Sequence, residues 1–216
     1  MMRVLLARVT GALRWSTKEK AARLFMAFAR AERSSHYDML AAARLSPDPE
    51  RRAAYVRHAS DEARHALMFT LRAEQLNHSI AAHPREYTAD FEHLFERLGE
   101  LDFLAFVHLG EQRGRRQFAV YREELASKGD DKSRALFDAI LTDEAQHASY
   151  TRTFLDRVSG GQVQSQKALR RVRRWELWRA WLRLGRVTSS ALFTWSMRGV
   201  YLLLLPFALI EKARHK

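Results

Sequence analysis

Asp61-Glu62-Ala63-Arg64-His65-Ala66 and Asp143-Glu144-Ala145-Gln146-His147-Ala148 repeat one pattern at two distant points of the chain. They are the only two Glu-x-x-His matches in the sequence. In a helix, residues three apart share a face, so each pair can aim a carboxylate and an imidazole at one point. Both motifs lie inside long apolar stripes of helical period. One stripe reads Tyr55, Ala59, Glu62, His65, Phe69, Leu76; the other reads Phe137, Ile140, Glu144, His147, Thr151, Phe154, Val158. Two further stripes carry an acid each: Leu24, Phe28, Glu32, Ser35, Met39, and Leu104, Val107, Glu111, Gly114, Phe118. Burying a carboxylate costs several kcal/mol. One acid on a core stripe is an accident of register. Four, one per helix and each near its middle, need a common cation.

Local signals mark out the helices around these stripes. Ser16 and Glu19 form a capping box that opens a helix to about Leu45. Asp48-Pro49 supplies an N-cap and a first-turn proline for a helix to about Asn77. A long connection through His83-Pro84 contains a short helix near Asp90–Leu98. A third long helix covers about Leu101–Ser127, and a fourth runs from the Gly129-Asp130-Asp131 break to Val158, ahead of Ser159-Gly160-Gly161. No stretch alternates with the period of a strand. The expected fold is all-α: a four-helix bundle over residues 16–160 with a long connection between its second and third helices. A lead-in over residues 1–15 precedes it and a helical extension over 161–216 follows.

Composition narrows the chemistry. The 216 residues contain no cysteine. Disulfides, thiolate-held zinc, iron–sulfur clusters and thiol nucleophiles are therefore excluded. Any metal must be held by histidine and carboxylate. The separations Glu32 to Glu62 (30) and Glu111 to Glu144 (33) are similar. Two helical hairpins, each giving one Glu and one Glu-x-x-His, account for the pattern.

On these residues the chain resembles the ferritin-like di-iron carboxylate superfamily, whose bundles hold a metal pair on this ligand pattern. The resemblance covers about residues 16–158. It implies that Glu62 and Glu144 bridge two irons. Glu32 and His65 would complete one ion, and Glu111 and His147 the other. Four carboxylates and two imidazoles suit iron or manganese, with iron–manganese and di-manganese pairs as alternatives. Four negative charges against two divalent ions leave a neutral core. Asp61 and Asp143 are placed to accept a hydrogen bond from a ligand histidine on the facing helix, fixing its tautomer. Arg64 is a partner for one of them. The string Asp61-Glu62-Ala63-Arg64-His65 resembles di-iron oxygenases and acyl desaturases more than storage ferritins. Gly110 and Gly114 flank Glu111, and are expected to allow a local bulge or open space for oxygen or substrate. His36, His58 and His108 lie near the ligand register and are left out of the ligand set. Tyr37 and Tyr150 are candidate hydrogen-bonding or redox-active neighbours.

The formal charge of +12 is concentrated at the C-terminus. Residues 166–216 carry twelve Lys and Arg against Glu176 and Glu211, and so hold +10 of it. Four of the five tryptophans lie there: Trp175, Trp178, Trp181 and Trp195. Residues 187–210 then hold a single charge, Arg198, but the uninterrupted apolar run 199–210 is short for a spanning helix and contains Pro206. A basic, tryptophan-rich segment of this kind suits the surface of an anionic membrane. Packing on the bundle, a homodimer contact or RNA are the alternatives, and the leucine-rich end fits RNA poorly.

The expected function is a di-iron oxidoreductase that activates dioxygen, a hydroxylase or monooxygenase of a small hydrophobic, membrane-associated substrate, supplied by an external electron donor. The alternatives are a rubrerythrin- or ferritin-like peroxide-reducing or iron-oxidising protein, a di-iron tRNA hydroxylase, and a metal-free scaffold. The lead-in, with Arg3, Arg8 and Arg14 breaking its apolar run, lacks a signal-peptide core. The expected location is cytoplasmic, at a membrane surface.

Overall fold

The computed structural model describes residues 15–78 and 93–214; positions 187, 191 and 202–214 are described by backbone alone. The lead-in up to residue 14, the His83-Pro84 connection and the first part of the short helix expected from Asp90 lie outside the described residues. Among the described residues there are five α-helices and no strand: α1 (Lys18–Leu45), α2 (Pro49–Leu76), α3 (Leu94–Ser127), α4 (Asp131–Ser159) and α5 (Gln162–Arg214).

The helix ends follow from their caps. Thr17, not Ser16, caps α1 by accepting from the Lys20 amide at 3.3 Å; the Ser16 hydroxyl instead accepts from Lys20 Nζ. Asp48 accepts from the Arg51 amide ahead of Pro49, and Asp130 from that of Ser133. Gly160, at φ +77°, closes α4 in the left-handed region, where a Cβ would be strained. Gly99 interrupts α3 at φ +72°, ψ 160°, a conformation open essentially to glycine alone. The element is thus a short turn of helix from Leu94 and a long helix after the break, which matches the two helices read from the sequence.

Connections of three residues, Ser46–Asp48 and Lys128–Asp130, fold α1 on α2 and α3 on α4 as antiparallel hairpins. The hairpins then meet through α1 on α3 and α2 on α4. Both of these contacts are also antiparallel. Ser46 near the end of α1 bonds Glu100 near the start of α3, while Phe28 packs on Phe118. On the other side, His65 meets Asp143 and Arg72 meets Asp130. Hence α2 and α3 run in the same direction, which short loops cannot produce.

The four helices pack differently at their two ends. At one end Phe25, Phe28, Phe69, Phe118, Tyr121 and Phe137 interlock, closed over by Trp15. At the other end Tyr55 and Phe103 are fully buried. There Glu100 collects Ser46, Tyr55 and a two-point bond from Arg51. The four stripe glutamates lie between these ends.

The first compact unit runs through Arg170, so the opening turns of α5, with Ser165, Ala168 and Leu169 buried, belong with the four helices. The second unit begins at Arg171. Its described side chains include exposed Trp178, Trp181, Leu192, Phe193 and Trp195. Among the described residues no helix is long and apolar enough to cross a membrane.

Candidate metal centre

Each long helix of the bundle delivers its stripe acid to the same level. Glu32 from α1, Glu62 from α2, Glu111 from α3 and Glu144 from α4 are all buried, at 9%, 1%, 7% and 3% exposure. His65 and His147 follow their glutamates by three residues and enter the same space. The ligand atoms fall into two groups, in each of which all lie within 4.8 Å of one another: Glu32, Glu62, His65 and Glu144, and His58, Glu62, Glu111 and His147. Each of these buried groups of histidine and glutamate can hold a metal ion.

The two motif histidines are held crosswise. His65 on α2 donates from Nε2 to Asp143 on α4 at 3.1 Å, and His147 on α4 donates from Nε2 to Asp61 on α2 at 3.1 Å. Arg64 spans the two aspartates, at 2.7 Å from Asp61 and 3.0 Å from Asp143. With the proton fixed on Nε2, Nδ1 of each ring is left as an acceptor, and it faces the carboxylates. His65 Nδ1 is 3.7 Å from Glu144; His147 Nδ1 is 3.7 Å from Glu111 and 3.9 Å from Glu62. Those separations are too long for hydrogen bonds. The two of 3.7 Å suit donors that could share an ion: two ligand atoms about 2.1 Å from one cation and about 90–130° apart lie roughly 3.0–3.8 Å from each other. Neither Nδ1 has a hydrogen-bond partner, and neither does Glu62 Oε2. Three buried polar atoms without partners, turned into one carboxylate cluster, are a poor arrangement for a core and a good one for a cation.

Protonation tells the same story. Burial drives the Glu32 carboxyl well above the usual range, with repulsion from Glu62 adding to it. Burial likewise lifts Glu144 well above that range, and Glu62 to about 8. At Glu111 burial also pushes upward, but the neighbouring His58 ring and the Glu144 carboxyl beside it win and hold it well below. Burial of four carboxyls in one dry space thus favours the protonated form of three of them. Burial lowers His65, favouring the neutral imidazole that a metal requires. Asp61 is pushed up by burial, but hydrogen bonds from Arg64 and His147 more than offset this and leave it below its usual range.

All six ligand candidates read from the sequence come together here, as do Asp61, Asp143 and Arg64. The grouping differs in one respect. Glu62 belongs to both groups, as expected of a bridge, whereas Glu144 belongs to one; in the other, His58 takes its place. His58 stands outside the ligand set read from the sequence, although its spacing to Glu62 and His65 (i, i+4, i+7) puts it on the same face. His36 and His108 do serve packing: His36 donates to the Ala59 carbonyl at 2.7 Å, and His108 bonds Ala148 and Thr151 on α4. Tyr150 is at the site, its hydroxyl 2.5 Å from His58 Nδ1, while Tyr37 is 45% exposed.

The bulge expected at Gly110 and Gly114 does not form, because α3 is regular helix through both. Open space does exist at Gly110, where a Cβ would meet nothing within 4 Å. At Gly114 a Cβ would stand 3.6 Å from Glu144 Oε2, an ordinary contact, so that place is already filled by the carboxylate. No family profile, curated protein or solved structure matches this chain.

Proposed function

We propose that the chain is a ferritin-like dinuclear metalloprotein, an oxidoreductase that activates dioxygen at two iron ions to hydroxylate a small hydrophobic substrate. The observation that carries this reading is the pair of Nδ1 atoms, buried, partnerless and pinned toward four glutamates by aspartates on the opposite helix. The parallel course of α2 and α3 supports the ferritin-like part, since that fold has one long crossover.

In this reading Glu32, Glu62, His65 and Glu144 would hold one ion and Glu62, Glu111 and His147 the other, and an iron pair held there would supply electrons to dioxygen. The protein's own part is positional and electrostatic. Asp143 and Asp61 hold the imidazoles in one tautomer and orientation. Arg64 pairs with both aspartates and fixes their positions. The aromatic layer on one side keeps water out of the core, and Gly110 leaves open space on α3 next to Glu111. For hydroxylation, one oxygen atom enters a C–H bond and the other leaves as water with two protons and two electrons. No cysteine is present to hold an electron-transfer centre, so the electrons come from an external donor.

The second unit supports an anionic membrane as the place of action. Arg179, Arg183 and Arg186 recur at i, i+4, i+7 on one side of α5, while exposed Leu177, Trp178, Trp181 and Leu184 occupy the other. A basic stripe beside bulky exposed apolar and indole side chains fits the interface of an acidic bilayer. That surface would bring the chain to a lipid-like substrate.

The test is reaction of the anaerobically reconstituted, reduced protein with dioxygen and, separately, hydrogen peroxide. Faster reaction with dioxygen, and a lipid product that gains an oxygen atom, is expected. Much faster reaction with peroxide and no oxygenated product would replace this reading with a peroxide-reducing one.

A further inference from the structure

His58 breaks the symmetry of the two hairpins. The residue four before Glu62 is a histidine; the residue four before Glu144 is Ile140. Its ring is fully buried among the ligand candidates and lies on that of His147, centroids 3.7 Å apart and planes 23° from parallel. The two imidazoles therefore present nitrogen to the same carboxylates. His58 Nε2 is 2.8 Å from Glu62 Oε1 and 3.5 Å from Glu111 Oε1, from α2 and α3 respectively. From α4, the hydroxyl of half-buried Tyr150 holds Nδ1 at 2.5 Å. A ring gripped at Nδ1 turns Nε2 toward two glutamates, as the aspartates turn the inner nitrogens of His65 and His147; His58 Nε2 differs in being hydrogen-bonded to Glu62 Oε1, a contact that a cation between them would replace. If the ring proton sits on Nδ1, with Tyr150 Oη accepting it, the Nε2 lone pair is free to bind.

We infer that His58 is a third imidazole donor, to the ion held by Glu111 and His147, and that it makes the two halves of the centre chemically unequal. This rests on the dinuclear reading above. One half then offers three carboxylates and one imidazole, the other two carboxylates and two imidazoles, with Glu62 common to both. The nitrogen-rich half favours ions late in the first-row series, such as cobalt. The oxygen-rich half favours harder ions such as manganese. Tyr150 is a positioning residue that aims His58. The pair would load in order, and a mixed supply would be sorted.

The experiment titrates the full metal-free chain with Co(II) under anaerobic conditions, alone and against Mn(II), following cobalt absorption and metal stoichiometry. Two binding steps separated by about 10-fold or more are expected, with one cobalt and one manganese bound from the mixture. His58→Ala should weaken the first step about 10–100-fold and leave the second in place, and added imidazole should restore it. Tyr150→Phe should weaken the same step by less. Should His58→Ala fail to fold, X-ray absorption of the wild-type chain with one equivalent of cobalt decides: two imidazoles on the ion are expected, and one would overturn the inference. Equal steps in the wild type, or His58→Ala matching it in both, would overturn the inference and leave the dinuclear reading standing. No cobalt bound by the wild-type chain would overturn both.

Discussion

Asp143 and Asp61 are only partly buried, yet each controls a fully or nearly buried imidazole. Removing the charge of Asp143 keeps the side chain's shape but weakens its hold on His65 Nε2. Asp143→Asn should therefore lower affinity for ferrous iron about 10–100-fold with little change in folding, measured by equilibrium dialysis beside thermal denaturation. Unchanged affinity would mean that the aspartate serves Arg64 alone. The glutamates set a pH dependence of definite sign. An unfolded Glu loses its proton near about 4.3, whereas burial keeps the Glu62 carboxyl protonated up to about 8, and Glu32 and Glu144 shift the same way. Across that window the metal-free native chain binds more protons than the unfolded one, so its stability falls as pH rises toward 8. A bound cation replaces those protons and favours the ionised carboxylates. The gap in melting temperature between metal-loaded and metal-free protein should thus widen from pH 6 to pH 8. A gap that narrows would show that the glutamates are not the ligands.

Helices carry the site because each one is anchored on both sides of its acid. On α2, Phe69 lies two turns beyond Glu62 and is fully buried against Phe25, Phe28, Phe118 and Phe137, at ring separations of 5.3–6.0 Å. Phe69→Ala should cost about 3–5 kcal/mol in chemical denaturation, because this close-packed aromatic layer can collapse only partly around the hole. A loss under 1 kcal/mol would show the layer to be loosely packed. The elements were legible in the sequence because their signals are local: Asp48-Pro49, Gly160 and the helical spacing of the stripes each act within a turn or two. The six ligand candidates were legible for the same reason, each being a charged exception on an apolar stripe. His58 was not, because a lone histidine beside a stripe reads equally well as packing, and His36 and His108 are indeed packing histidines. Its contacts with other helices distinguish it: Tyr150, 92 residues away in sequence, the His147 ring and Glu111. The exchange of aspartates between α2 and α4 is a tertiary fact of the same kind, although the aspartates themselves precede each motif visibly.

At the scale of the molecule the two units differ: acids and histidines are buried in the first, and Arg183, Arg186, Trp178, Trp181 and Trp195 are exposed in the second. Each basic side chain near an anionic surface contributes about 1 kcal/mol, and the interaction is screened by salt. The full chain should therefore float with phosphatidylserine-containing vesicles and less so at high salt, and Trp178→Ala with Trp181→Ala should weaken flotation at either salt concentration. Indifference to vesicles together with nuclease-sensitive RNA binding would point the second unit at nucleic acid instead. Everything proposed for the first unit depends on a cation among Glu32, Glu62, His65, Glu111, Glu144 and His147. Glu62 belongs to both ligand groups, so losing it should empty both. The decisive measurement is metal content per chain after anaerobic reconstitution with ferrous iron and removal of the excess. About two ions in the wild-type chain and almost none in a folded Glu62→Ala variant is the predicted result; no metal in the wild type, or equal metal in the two, would contradict it.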